Sequence, residues 1–147
     1  SEISNCFNKQ YNFKKYLIEG NSRSGKTTLI ADLALKGQIK LTKLVRAIDM
    51  ISMDEIGKIN YIGDIILESY NSSDSLVIID DVEILINFVN LIDSVSYSNR
   101  LYQVLLTILK TFPENKNNRL TLIITCGNYN LSANIGQYFD KIYFLDY

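Results

Sequence analysis

Tyr16-Leu-Ile-Glu-Gly20-Asn-Ser-Arg-Ser-Gly25-Lys26-Thr27 is an apolar run that breaks into a glycine- and serine-rich turn and closes on Lys-Thr. Residues 20–27 satisfy G-x-x-x-x-G-K-[ST] at every fixed position. With glycine near 7% of residues, those four positions coincide by chance in roughly one chain of this length in two hundred. The context is also the one the motif demands, an apolar strand leading in and a helix following. Glycines let the chain turn tightly and bring backbone N–H groups against phosphate oxygens. The N-terminus of the following helix adds roughly half a positive charge at the same place. Gly20, Asn21, Ser22, Arg23, Ser24, Gly25, Lys26, Thr27 and Thr28 are therefore the candidate phosphate-binding residues. Lys26 is expected to reach the β- and γ-phosphates of ATP, and the Thr27 hydroxyl to ligate magnesium. Arg23 occupies a variable position of the motif and is expected to face solvent.

Outward from that loop, residues 16–19 read as a short strand and 26–36 as a helix with Leu29, Ile30 and Leu33 on one face. Residues 43–48 read as a second strand. Residues 54–70 carry Ile56, Ile59, Ile62, Ile66 and Tyr70 near helical spacing, with Asp54 as N-cap. Leu76-Val-Ile-Ile79 is an unbroken apolar run suited to a strand buried on both faces. Residues 82–89 read as helical, and 90–97 as the least structured stretch. Residues 98–111 predict an amphipathic helix with Leu101, Leu105, Ile108 and Leu109 on one side, ended by Phe112-Pro113. Residues 120–125 read as another buried strand and 142–145 as a last one. Strands alternating with helices imply an α/β fold of the P-loop NTPase type, a parallel sheet with helices on both faces. The length of 147 residues suits a single domain over 1–147.

Two further strand ends carry chemistry. The run 76–79 closes on Asp80-Asp81. In doubly wound sheets ligands sit at the carboxyl ends of the strands, so Asp80 is the candidate magnesium-side (Walker B) carboxylate beside Thr27. Asp81 is the candidate for orienting the attacking water, a position where glutamate is usual in AAA+ ATPases. Aspartate is shorter by one methylene, about 1.5 Å, and a misplacement of about 1 Å costs on the order of a hundredfold in rate. Asp81 thus predicts tight binding with slow turnover. Glu83 would substitute only through an unusual turn. The strand 120–125 runs into Cys126-Gly127-Asn128. Asn128 is the candidate γ-phosphate sensor, with Thr125 behind it.

Composition closes off several alternatives. The chain has no histidine, which removes Ser-His-Asp and Cys-His catalysis and makes zinc a poor expectation. Cys6 and Cys126 lack metal-ligand spacing and read as reduced thiols. A net charge of −1 and an isoelectric point near 5.4 show no basic footprint for nucleic acid. No apolar run approaches the roughly 18 residues of a membrane span, so direct insertion is not expected. The first nine residues lack a signal-peptide pattern and an initiator Met, which reads as a piece of a longer protein. Among rival readings, a free-standing P-loop ATPase or a small nucleotide or metabolite kinase would need a second substrate site. Arg46, Arg100 and Arg119 are scattered, which does not favour one. A replication-type loader and a non-catalytic assembly module are the remaining alternatives.

These motifs together resemble the second ATPase domain of the N-ethylmaleimide-sensitive fusion protein family, AAA+ machines that take SNARE complexes apart. Residues 16–27 look like its first strand and phosphate loop. Leu76-Val-Ile-Ile-Asp-Asp-Val-Glu83 looks like its Asp-Asp Walker B. Residues 96–110 look like its long helix, and Leu122-Ile-Ile-Thr-Cys-Gly-Asn128 like its sensor-1 strand. The resemblance implies an AAA+ large subdomain that binds ATP tightly, hydrolyses it slowly and holds a homo-hexamer together. SNARE complexes would be engaged through an adaptor by other domains, and the neighbouring first ATPase domain would do most of the work. The setting implied is cytoplasmic, with peripheral membrane association through partners. No arginine follows the sensor-1 strand, in keeping with a ring that lacks an arginine finger. Asn21-Ser22 stands where the family often has Pro-Pro, and the helical lid expected after the last strand is absent from this chain.

Overall fold

The computed structural model describes residues 13–20, 41–110 and 118–145, together with Thr28, Ile30, Asp32 and Ile39. Among them run β1 (Phe13–Glu19), β2 (Leu41–Arg46), α1 (Glu55–Asn71), β3 (Asp74–Asp80), α2 (Val82–Leu85), β4 (Val89–Asn90), β5 (Val95–Ser96), α3 (Asn99–Lys110), β6 (Arg119–Cys126), α4 (Tyr129–Ile135) and β7 (Lys141–Phe144). Single 3-10 turns follow β2 at Ala47–Met50 and α4 at Gly136–Tyr138.

Among the described residues the main sheet has five strands in the order β2-β3-β6-β1-β7. Every pairing in it is parallel. Parallel neighbours need crossovers, which place covering segments on both faces. One face carries Leu17, Val77, Ile79, Leu122 and Ile124 against α1 and α3. The other carries Tyr16, Ile18, Leu76, Ile78 and Ile123 around Ile30, whose backbone is helical. The apolar runs of β1, β3 and β6 are unbroken for this reason: alternate side chains enter different cores. The expected parallel α/β sheet, covered on both sides, is the observed fold.

The two long helices also match expectation, and the local chemistry explains their bounds. Asp54 caps α1 by accepting from the Gly57 N–H at 2.7 Å. A Cβ at Gly57 would stand 2.9 Å from that carboxylate oxygen, so glycine lets the cap close. Ile62 and Ile66 are buried, whereas Ile56 is 57% exposed and lies off the core face. α3 buries Leu101, Leu105, Ile108 and Leu109. Its start is capped by Ser98 Oγ, which accepts from Leu101 N–H at 3.3 Å. The same hydroxyl donates to Glu55, fastening the first turns of α1 and α3 together.

Two expectations are corrected. Residues 82–89 do not continue as a helix: α2 is one turn, ended by Asn87 at φ 56°. Residues 90–97 are not structureless, because β4 and β5 pair antiparallel as a hairpin. Tertiary contacts decide both. Phe88 is buried and stacks on Tyr97 at 5.8 Å. Ser98 N–H reaches back to the Ile86 carbonyl at 2.7 Å, closing the excursion at its base. The second strand is also displaced from 43–48 to Leu41–Arg46, and Arg46 is held by both oxygens of Asp49 at 3.0 Å within the turn that follows.

Candidate functional site

Strand register brings the candidate residues together. Ile79 pairs with Ile124, and Ile18 with Thr125, so β1, β3 and β6 end side by side. Gly20, Asp80-Asp81 and Gly127-Asn128 therefore line one end of the sheet, at the carboxyl ends of three adjacent strands. That is where open α/β sheets bind ligands.

Gly20 is buried, and its N–H donates to the Cys126 carbonyl at 3.1 Å. The first residue of the candidate phosphate loop is thus sewn to the end of β6. Thr28 is helical and exposed. Asn21, Ser22, Arg23, Ser24, Gly25, Lys26 and Thr27 lie outside the described residues.

The Asp80-Asp81 turn is held by Thr125, whose side chain is fully buried. Its hydroxyl donates to Asp80 Oδ1 at 2.5 Å and accepts from the Asp81 N–H at 2.8 Å. Asp80 thus stands half-buried at the strand end with one oxygen oriented by the protein. Asp81 has φ 54° and ψ 57°, the left-handed region, which Asp tolerates better than most residues. Beside both carboxylates lies a cavity of about 290 Å³ lined also by Arg46, Ala47, Ile48, Ile51 and Ile84. Asp49, by its hydrogen bond and then its charge, keeps Arg46 firmly protonated there, with a smaller contribution from Asp80.

Asn128 caps α4: its Oδ1 accepts from Asn130 N–H at 3.0 Å and Leu131 N–H at 3.2 Å. The cap engages the oxygen and so fixes the direction of the side-chain NH₂. Ser132 in the same helix donates to Glu19 Oε2 at 3.1 Å, tying α4 to β1. Cys126 is a buried free thiol whose pKa is pushed up to about 12, first by burial and then by Glu83. It stays a neutral thiol at physiological pH and offers no nucleophile.

Two features were invisible to spacing arguments. The Thr125 bridge depends on strand register, and Glu83 accepts a hydrogen bond from the Gly127 N–H across the ends of β3 and β6. The turn at Asp81 is left-handed, and it leaves the Glu83 carboxylate on the Gly127 amide.

The donor set fits a magnesium–triphosphate group. A half-buried carboxylate oriented by a hydroxyl, a buried glycine at the loop entrance and a strand-end asparagine converge where the strands end. When bound, such a group supplies the phosphoanhydride bond and the metal charge that offsets the phosphates.

No protein-family profile matches the chain. Curated relatives do. The "Vesicular-fusion protein sec18" of Schizosaccharomyces pombe is 33% identical over 109 residues, 74% of this chain. The "Vesicle-fusing ATPase" of Arabidopsis thaliana is 32% identical over 120 residues, 82% of the chain. Over these residues the chain is a member of the vesicle-fusing ATPase family. A third member, "Vesicular-fusion protein SEC18" of Saccharomyces cerevisiae, is 32% identical over 115 residues, 78% of the chain. The chain spans between 13% and 16% of the length of these vesicle-fusing ATPases. Its parallel α/β sheet is the one expected of an AAA+ large subdomain. Among the described residues no helix is long and apolar enough to cross a membrane.

Proposed function

We propose that this chain is an ATP-binding module, of the type of the second ATPase domain, in a vesicle-fusing AAA+ ATPase. The observation that carries the reading is the convergence of Gly20, Asp80 and Asn128 at adjacent strand ends, with Asp80 oriented by Thr125. Lys26 and the amides of residues 20–28 bind the phosphates. Thr27 and Asp80 hold magnesium, and Asn128 presents its NH₂ to the γ-phosphate. Asp81 orients water poorly, because aspartate falls about 1.5 Å short of glutamate, so hydrolysis is slow and bound ATP serves assembly. The whole protein forms a homo-hexamer, works in the cytoplasm at membranes reached through partners, and acts on SNARE complexes through an adaptor bound by other domains.

Magnesium-dependent ATP binding and turnover by the purified chain, beside Lys26→Ala, test this. The expected result is tight binding that Lys26→Ala weakens at least about a hundredfold, on the order of 3 kcal/mol, with turnover far below the median enzyme value of about 10 per second. Brisk turnover by a monomer, or binding indifferent to Lys26, would sink the proposal.

A further inference from the structure

We infer that Glu83 is a positioning residue for the γ-phosphate-sensing loop: its carboxylate holds the Gly127 amide and thereby the direction in which Asn128 presents its NH₂ at the strand ends. The inference rests on the ATP-binding reading above. It begins at the left-handed turn at Asp81, pinned by the 2.8 Å bond from its N–H to Thr125. That turn swings the first residues of α2 sideways, across the end of β6. Glu83 Oε2 then accepts from the Gly127 N–H. A Cβ at Gly127 would lie 3.3 Å from that oxygen and 3.4 Å from the Gly20 carbonyl oxygen. Gly127 is therefore packed between Glu83 and Gly20, and a Cβ there would press on the Glu83 carboxylate by a few tenths of an ångström.

The next residue has little independence. Asn128 Oδ1 is clamped by the N–H groups of Asn130 and Leu131, so its NH₂ is fixed relative to the start of α4 and shifts only with the backbone that joins Gly127 to that helix. Glu83 sets that backbone through the Cys126–Gly127 peptide. A carboxylate is an odd choice for a purely structural tie here. It places negative charge beside a site built for phosphates, where a neutral acceptor would pack as well without repelling the ligand. What the charge supplies is a shorter, stronger hydrogen bond to the amide.

The test is the ratio of ATP to ADP affinity in magnesium for the chain, Glu83→Ala and Glu83→Gln. Only the γ-phosphate distinguishes the two nucleotides, so general loosening of the site cancels from the ratio. Glu83→Ala is expected to reduce the preference for ATP about tenfold, the effect of losing one charge-assisted hydrogen bond. Glu83→Gln keeps a side-chain oxygen for the Gly127 N–H but loses the charge, and is expected to retain a preference between those of the parent and Glu83→Ala. An unchanged ratio in Glu83→Ala overturns the inference, and so does a loss in Glu83→Gln as large as in Glu83→Ala. Should Glu83→Ala fail to fold, the Gly127 amide resonance of the unmutated chain decides. It must differ between the ADP complex and that of a non-hydrolysable ATP analogue, and coincidence overturns the inference. A chain that binds neither nucleotide defeats the ATP-binding reading and this inference with it. Lys26-dependent binding with a ratio indifferent to Glu83 removes this inference alone.

Discussion

Thr125 and Cys126 are consecutive residues at the end of β6, both fully buried, and they do opposite things with their polar atoms. The Thr125 hydroxyl is satisfied on both sides by the Asp80-Asp81 turn. The Cys126 thiol makes a 3.3 Å contact with the Asn128 carbonyl and is held neutral. Its pKa rises from 9.0 to about 12, through burial first and the Glu83 charge second. The unfolded chain releases this proton at lower pH than the folded one. Stability tied to the neutral thiol is therefore complete below about pH 9 and is lost progressively towards about pH 12. In a Cys6→Ser background, Cys126→Ala is expected to lose less stability between about pH 8.5 and 10.5 than its parent. Denaturant midpoints across that range check it, and parallel declines would remove the argument.

At the scale of the element, α1 shows a cap competing with helix propensity. Gly57 sits in the first turn, where alanine would ordinarily gain about 0.5–1 kcal/mol. Its Cβ would meet the capping carboxylate of Asp54 at 2.9 Å, so the gain is offset by a displaced cap. Asp54→Ala alone is expected to lose about 1 kcal/mol. Gly57→Ala is expected to be neutral or destabilising in the parent chain, yet stabilising by about 0.5–1 kcal/mol once Asp54 is alanine. Urea denaturation of the four chains measures this coupling, and simple additivity would refute the cap geometry. The same scale holds the clearest misreading. Val82, Leu85 and Phe88 have helical spacing, but Phe88 is buried by stacking on Tyr97, just past the second arm of a hairpin. Tyr97 in turn packs on Tyr102 of α3 at 4.9 Å. A periodicity argument sees neither partner.

Across the whole molecule, Lys15 joins parts far apart in sequence. It is buried in β1, yet its Nζ donates to the Leu109 carbonyl at 2.6 Å, in the last turn of α3. A cation there satisfies an end carbonyl of the helix and complements its dipole. The Lys15 backbone N–H donates to Asp140 Oδ2 at 2.8 Å, tying β1 to the approach to β7. Lys15→Met keeps the apolar stem but leaves the Leu109 carbonyl without this donor, and is expected to lose about 1–3 kcal/mol. Equilibrium urea unfolding at unchanged m-value tests it, and a stability equal to the parent would show the bond to be dispensable. Nothing in the sequence around Lys15 marks it as a buried charge, since its partner lies 94 positions away.

Local chemistry was enough to mark the phosphate-loop motif as a candidate, and it was enough for the strand cores at 76–79 and 120–125, for the long helices at 55–71 and 99–110 and for the Asp54 cap. Each of these depends on neighbours within a few positions along the chain. Hydrophobic period, capping oxygen and glycine spacing are all written at that range, and the parallel sheet follows from alternating strands and helices. The tertiary structure alone decided the strand order, the hairpin at 89–96 and the left-handed Asp81. It also decided the bonds from Thr125 to the aspartates and from Glu83 to Gly127. Those depend on register between strands more than forty positions apart, and that register is specified by which side chains the assembled sheet buries on each face.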